Sequence, residues 1–222
     1  MIEKLYHNRF ELFLSSQLAI LFGSLVFTPI FFESVLEPVL FLFNLLSGVL
    51  LISQRPKLMW FCILLLTLSA LLFGISMVMG KELRTLGFIR MTVYFLFYLV
   101  VTFEIIKQLW SVAQVNKNVI FGLISGYISL GLIGFFICLS IELIAPGSFQ
   151  GSMLQGQSQP ELLADELMYF SFITLLTIGY GDILPVTVLA QKAAVVIGLL
   201  GQFYLVIITA VVVGKFLQQG DA

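Results

Sequence analysis

From Leu58 to Met79 the chain runs without a single charged residue, and that stretch limits the fold more than any other feature. A helix that is apolar on every side has no polar face to turn toward water. The stretch is also long enough to cross a bilayer, whose hydrocarbon core takes about 20 residues of helix. The rest of the chain repeats the pattern. Of 222 residues, 60% are hydrophobic and only 10% charged, with a mean hydropathy of +1.09, whereas a soluble domain carries roughly a quarter charged residues. Because a helix satisfies its own backbone in lipid, the composition predicts an all-α integral membrane protein.

Six segments are candidate spans: Leu12 to Phe32, Val35 to Ser53, Leu58 to Met79, Leu86 to Ile106, Val119 to Ile144 and Val186 to Leu217. The second is the weakest, since Glu37 and Pro38 crowd its start, although proline is tolerated in a first turn. A seventh apolar piece, Leu162 to Leu176, is too short to cross but suits a re-entrant helix. The first segment follows Lys4 and Arg9 as a signal peptide would. It is longer than such a peptide's apolar region and lacks a small-x-small cleavage site, so it reads as a retained span.

Lys and Arg in short loops set orientation. Lys4, Arg9, Arg55, Lys57, Lys107, Lys117 and Lys215 fall on one side, which is expected to be cytoplasmic together with both termini. Glu33, Glu37, Glu142, Glu161, Asp165, Glu166 and Asp182 fall on the other, with Lys81 and Arg84 as the exception. A net charge of −1 and a pI near 5.8 point away from nucleic-acid partners. Cys62 and Cys138 lie inside apolar segments and read as small buried hydrophobes. His7 is the only histidine, so imidazole metal ligation has no second partner. No Ser/His/Asp grouping, Walker sequence or CxxC is present, and an enzyme is not expected.

One stretch breaks the apolar pattern. Thr174 to Pro185 reads TLLTIGYGDILP, and its glycines at alternate positions relieve the penalty on positive φ, so that successive carbonyls can point the same way. Irregular backbone at membrane depth must find partners for its polar groups. A row of convergent carbonyls is a cation ligand, and oxygens without fixed charge suit a weakly hydrated monovalent ion that must both enter and leave. A tight turn would use the same glycines; the preceding short helix, the following span and the surrounding acids favour a pore.

The sequence Thr177-Ile-Gly-Tyr-Gly-Asp182 resembles the selectivity filter of tetrameric potassium channels. The resemblance covers about Val119 to Leu217, as outer helix, turret, pore helix, filter and inner helix; the first four spans match only in number and order. It implies that the carbonyls of Thr177, Ile178, Gly179 and Tyr180, with the Thr177 hydroxyl, coordinate K+, and that Gly181 completes the filter. It further implies a homotetramer with a central pore, in contact with membrane lipids, holding K+ ions and no organic cofactor. Residues 1–110 would form a four-helix voltage-sensor-like domain and 111–222 the pore domain.

Tyr169 and Phe170 occupy positions where many members carry an aromatic pair packed around the filter, and with Asp182 they are its expected support. Ser158-Gln-Pro-Glu161 has capping-box spacing for the pore helix. Two positions depart from the family. Ile173 stands where some members place a glutamate bonded to the aspartate after the filter, and Leu176 where a second hydroxyl residue is common, so inactivation is expected to differ while selectivity survives.

Gly201 falls where the family often has a hinge in the pore-lining helix, with Gly198 and Gly214 as further candidates; close helix packing, as in Gly122-Leu-Ile-Ser-Gly126, is the competing reading. Lys81, Arg84 and Arg90 keep the every-third-residue spacing of a voltage sensor, but Gly87, Val93 and Leu96 interrupt or end the ladder. The third span offers no acid to pair with it. A sensor-like scaffold is therefore preferred, with these three as residual sensor charges. With the sequence ending shortly after Lys215, a cytoplasmic ligand-binding domain is not expected, and the compactness fits a prokaryotic plasma membrane. A potassium-selective channel is the leading expectation; a weakly selective cation channel and a non-conducting scaffold or regulatory subunit are the alternatives.

Overall fold

The computed structural model describes residues 8–27, 31–79, 84–112, 114–151 and 160–220. Lys81 and the Ser158 end of the capping box lie outside them. The chain divides into two compact units. One comprises Met1–Gly126 with Gln219–Ala222, the other Tyr127–Gln218.

In the first unit, α1 (Arg9–Phe22) passes into a short 3-10 turn, Gly23–Leu25. The helix stops well before the expected Phe32 because Gly23 and Ser24 are weak helix formers. A π-helical turn, Phe32–Leu36, leads into α2 (Glu37–Ile52), whose Pro38 sits in the first turn where its missing N–H costs nothing. Next come α3 (Pro56–Met79) and α4 (Arg84–Ser111). The helices pack in sequence, α1 on α2, α2 on α3 and α3 on α4, and α2 also reaches α4. Short connections of this kind make antiparallel neighbours.

The core of this unit is apolar, with Phe13, Leu45, Leu51, Ile52, Phe97 and Ile105 fully buried. A neutral polar thread runs through it. Tyr98 donates to Asn44 Oδ1 at 2.8 Å, and Asn44 Nδ2 donates to Ser16 Oγ at 2.8 Å. Ser47 Oγ donates to the Asn44 carbonyl and Ser16 Oγ to that of Phe13. In a low-dielectric interior each of these groups would be costly alone, and together they are satisfied.

Helix α5 (Lys117–Ile144) carries the chain from the first unit into the second. There follow strand β1 (Phe149–Gly151), α6 (Pro160–Leu175), strand β2 (Ile183–Pro185), α7 (Val188–Phe203), a second π-helical turn (Tyr204–Ile208) and α8 (Thr209–Gly220). Thr187 caps α7 by accepting from the Ala190 N–H at 3.3 Å. β1 and β2 form an antiparallel ribbon with Gln150 opposite Leu184, and α6 packs against α7. Cys62 and Cys138 are both free and buried.

Among the described residues four helical stretches are long and apolar enough to cross a membrane: Pro56–Ser76, Leu86–Ser111, Lys117–Ile144 and Val188–Gln218. Glu37–Ile52 is apolar but shorter. At 1.5 Å per residue, α1 reaches only about 21 Å, less than the roughly 30 Å hydrocarbon core.

Candidate functional site

The second unit presents the TIGYGD stretch between α6 and β2. Its backbone alternates in handedness. Thr177 has φ +59°, Gly179 +56° and Gly181 +79°, while Ile178 and Tyr180 between them do not have positive φ. In such an alternation the N–H groups turn to one side and the carbonyls to the other. The hydrogen bonds identify the N–H side: Thr177 N–H donates to the Thr174 carbonyl at 3.1 Å, and the N–H groups of Ile178 and Gly179 donate to the Ile173 carbonyl at 2.8 and 3.3 Å. The end of α6 thus absorbs the loop's donors. Among the described residues none donates to the carbonyls of Thr177, Ile178, Gly179 or Tyr180, which leaves four acceptors open to a ligand.

No atom lies within 4 Å of where a Cβ would sit on Gly179 or Gly181. Glycine is needed there for its torsion angle and not for space. Thr177 adopts the same left-handed region with a β-branched side chain, a conformation that proteins retain chiefly at functional sites.

Three contacts brace the loop. Tyr169 donates its hydroxyl to Asp182 Oδ2 at 2.6 Å, and the other carboxylate oxygen accepts from the Ile183 N–H at 3.1 Å. The bond to Asp182, more than desolvation, pushes the Tyr169 phenol up to about 12. Phe170 is buried and meets Phe149 edge-on, with ring centroids 5.2 Å apart. The two members of the expected aromatic pair therefore differ in role: one holds Asp182, the other ties α6 to β1.

Several supporting residues were not singled out by the sequence. Glu142, nearly buried, accepts from the N–H groups of Gly147 and Phe149 and so organises the chain entering β1. Ser171 Oγ donates to the Gly131 carbonyl at 2.7 Å, and a Cβ on Gly131 or Gly134 would collide with Phe172 or Ser171. These two glycines seat α6 on α5, as small residues do between membrane helices. Tyr127 donates to the Leu175 carbonyl at 3.1 Å, at the last turn of α6.

Gly201 has a definite neighbour. A Cβ there would run into that same Leu175 carbonyl oxygen. The glycine is thus a close-approach site between α7 and the end of α6. The irregularity in this long helix comes later, at the π turn Tyr204–Ile208. Gly198 and Gly214 have open space around them. Of the candidate sensor charges, Arg84 opens α4 and Arg90 lies half-buried about one and two-thirds turns further on.

Residues 123–219 match the family model described as an ion channel. The matched stretch is less than half of the chain but contains the whole of the second unit. The match supports ion-channel function, as the four membrane-length helices support a membrane protein. No curated protein and no solved structure gives a significant match.

Proposed function

We propose that this chain is one subunit of a potassium-selective channel, and that it passes K+ down its electrochemical gradient without catalysing a reaction. The observation that carries the reading is the alternating backbone at Thr177, Gly179 and Gly181. Among the described residues none donates to the carbonyls of Thr177 to Tyr180, which can then replace the water shell of a weakly hydrated cation. Such carbonyls supply partial charge in place of formal charge, which suits an ion that must leave as easily as it enters.

One chain contributes one strand of carbonyls, and enclosing an ion takes a ring of four in a channel of this kind. In the single chain Ile178 is 47% and Tyr180 72% exposed. Large apolar groups left open beside the loop are what neighbouring copies would cover, and a homotetramer follows. Within this reading the six-span arrangement, cytoplasmic termini and placement in a cell membrane go together. Gly181 and Asp182 close the filter, with Tyr169 and Phe170 as its support.

The first unit is proposed to be a sensor-like scaffold. Where α4 crosses the middle of that unit it offers Tyr98 to a neutral amide and hydroxyl thread, and α3 contains no acid. A charged ladder moving past would find no counter-charge there.

The deciding experiment is reconstitution in a planar bilayer with potassium on one side and sodium on the other. A reversal potential near the potassium equilibrium value is expected. A reversal potential near zero would overturn potassium selectivity, and absence of current at every voltage would favour a non-conducting subunit.

A further inference from the structure

At one end of the first unit a cavity of about 330 Å³ opens among the start of α1, the α2–α3 connection and the last turns of α4. Among the described residues three cationic side chains line it: Arg9, Arg55 and Lys107. The carboxylate among the described lining residues is Glu104, which is buried and lies 3.7 Å from Arg55 Nε. Gln108 fixes the floor. Its amide nitrogen donates to the Leu51 carbonyl at 3.3 Å and to Glu104 at 3.5 Å, while its oxygen accepts from Arg9 Nη2 at 3.4 Å. The carboxylate is thus engaged by Arg55 and Gln108, and among the described lining residues cationic groups outnumber carboxylates three to one.

A second, independent observation gives the depth of this cavity in a membrane. The chain's two tryptophans, Trp60 and Trp110, are 66% and 56% exposed. Trp60 is in the first turns of α3, just after Arg55; Trp110 sits between Lys107 and Ser111 at the end of α4. The Arg55–Glu104 contact joins those two helix ends. Exposed tryptophans collect at the headgroup level of a bilayer, where an apolar ring and a polar N–H are both satisfied. The cationic cavity and the tryptophan pair therefore share one level, where phosphate is the abundant anion.

We infer that this cavity binds the phosphate headgroup of an anionic phospholipid, with Arg9 and Lys107 as its principal contacts. Guanidinium and ammonium groups recognise phosphate oxygens through charge-assisted hydrogen bonds. The occupant ties α1 to the end of α4, at the lipid leaflet expected to be cytoplasmic. The inference does not depend on potassium selectivity and can fail or hold separately from it.

The test uses the full chain in neutral detergent, with quenching of the tryptophans by brominated-chain phosphatidylglycerol compared with brominated-chain phosphatidylcholine. The wild type is expected to prefer the anionic lipid by roughly tenfold or more, and Arg9→Gln with Lys107→Gln to bring the ratio near one. Lys107→Gln alone, at an exposed position, reports the same direction should the double variant fold poorly. Lys57→Gln with Lys117→Gln removes as much charge from outside the cavity and is expected to keep the preference. No anionic preference in the wild type would overturn the proposal, as would equal losses in the two double variants. Relief of quenching by inorganic phosphate at concentrations matched to the lipid would overturn the lipid assignment in favour of a free-phosphate site.

Discussion

Tyr169 and Asp182 are joined by a 2.6 Å hydrogen bond that spans 13 residues of chain, from the middle of α6 to the far end of the TIGYG loop. Ile173 has no group that could bond Asp182, and the phenol that does so comes from one turn earlier on α6. The loop is therefore held at both ends by α6. Its N–H groups are held at Thr177 to Gly179, and its exit is held at Asp182.

Tyr169→Phe removes the donor and keeps the ring. Inactivation in a sustained voltage step is expected to be several-fold faster, with the potassium-to-sodium permeability ratio unchanged. An unaltered time course would show that the bond is not what holds the loop's exit. Alkaline pH gives a second handle. The raised phenol value means that the donor persists through the ordinary tyrosine range near about pH 10, and its contribution is lost only as pH rises through about 12. Wild-type inactivation should accordingly be the same at neutral pH and at about pH 9, well below that range.

Gly179→Ala tests the backbone itself. Space is not limiting, since nothing lies within 4 Å of the added methyl in the single chain. The cost is torsional, about 1–2 kcal/mol for each left-handed non-glycine residue, and it recurs in every subunit around a pore. Potassium current should be abolished while the variant still assembles, as judged by size-exclusion chromatography in detergent. Normal potassium current in this variant would refute the assignment of Thr177 to Gly181 as the ion path.

How much of this was legible in the sequence depends on whether the information was local. The TIGYG alternation was legible because φ preference belongs to individual residues, and the long apolar runs were legible because lipid imposes a length. Gly131 and Gly134 were not, because their partners lie in another element: Gly131 meets Ser171, which is 40 residues away. The Asn44–Tyr98 bond spans 54 residues. Its one sequence signal was an amide isolated in an otherwise apolar helix. Helix α1 was drawn too long because hydropathy continues past Gly23 while helix propensity does not. The close approach of Gly201 to the Leu175 carbonyl was not legible either, since that neighbour belongs to another helix.

Gly201→Ala and Gly198→Ala form a matched pair on one helix. At Gly201 the new methyl would meet a backbone carbonyl that already accepts from Tyr127. Backbone cannot swing aside as a side chain can, so α7 and the end of α6 must separate. Strongly reduced current, or failure to assemble, is expected for Gly201→Ala. Gly198→Ala meets open space and gains helix propensity, so its current should be close to wild type. Equal tolerance of both substitutions would remove the close-packing account of Gly201.

Neutralising Arg84 and Arg90 together tests the scaffold reading of the first unit. A steep sensor moves three or four charges per subunit through a region that supplies counter-charges. Here the middle of the unit is held by Tyr98, Asn44, Ser16 and Ser47, all neutral. The acid on α4 itself, Glu104, lies at the helix's far end beside Arg55, where it anchors α4 to the α2–α3 connection and opposes sliding of the helix. The conductance–voltage curve of Arg84→Gln with Arg90→Gln should therefore keep the slope and midpoint of the wild type. A large shift of either would mean that these two arginines cross the field after all, and that the neutral thread lines their path instead of locking the helix in place.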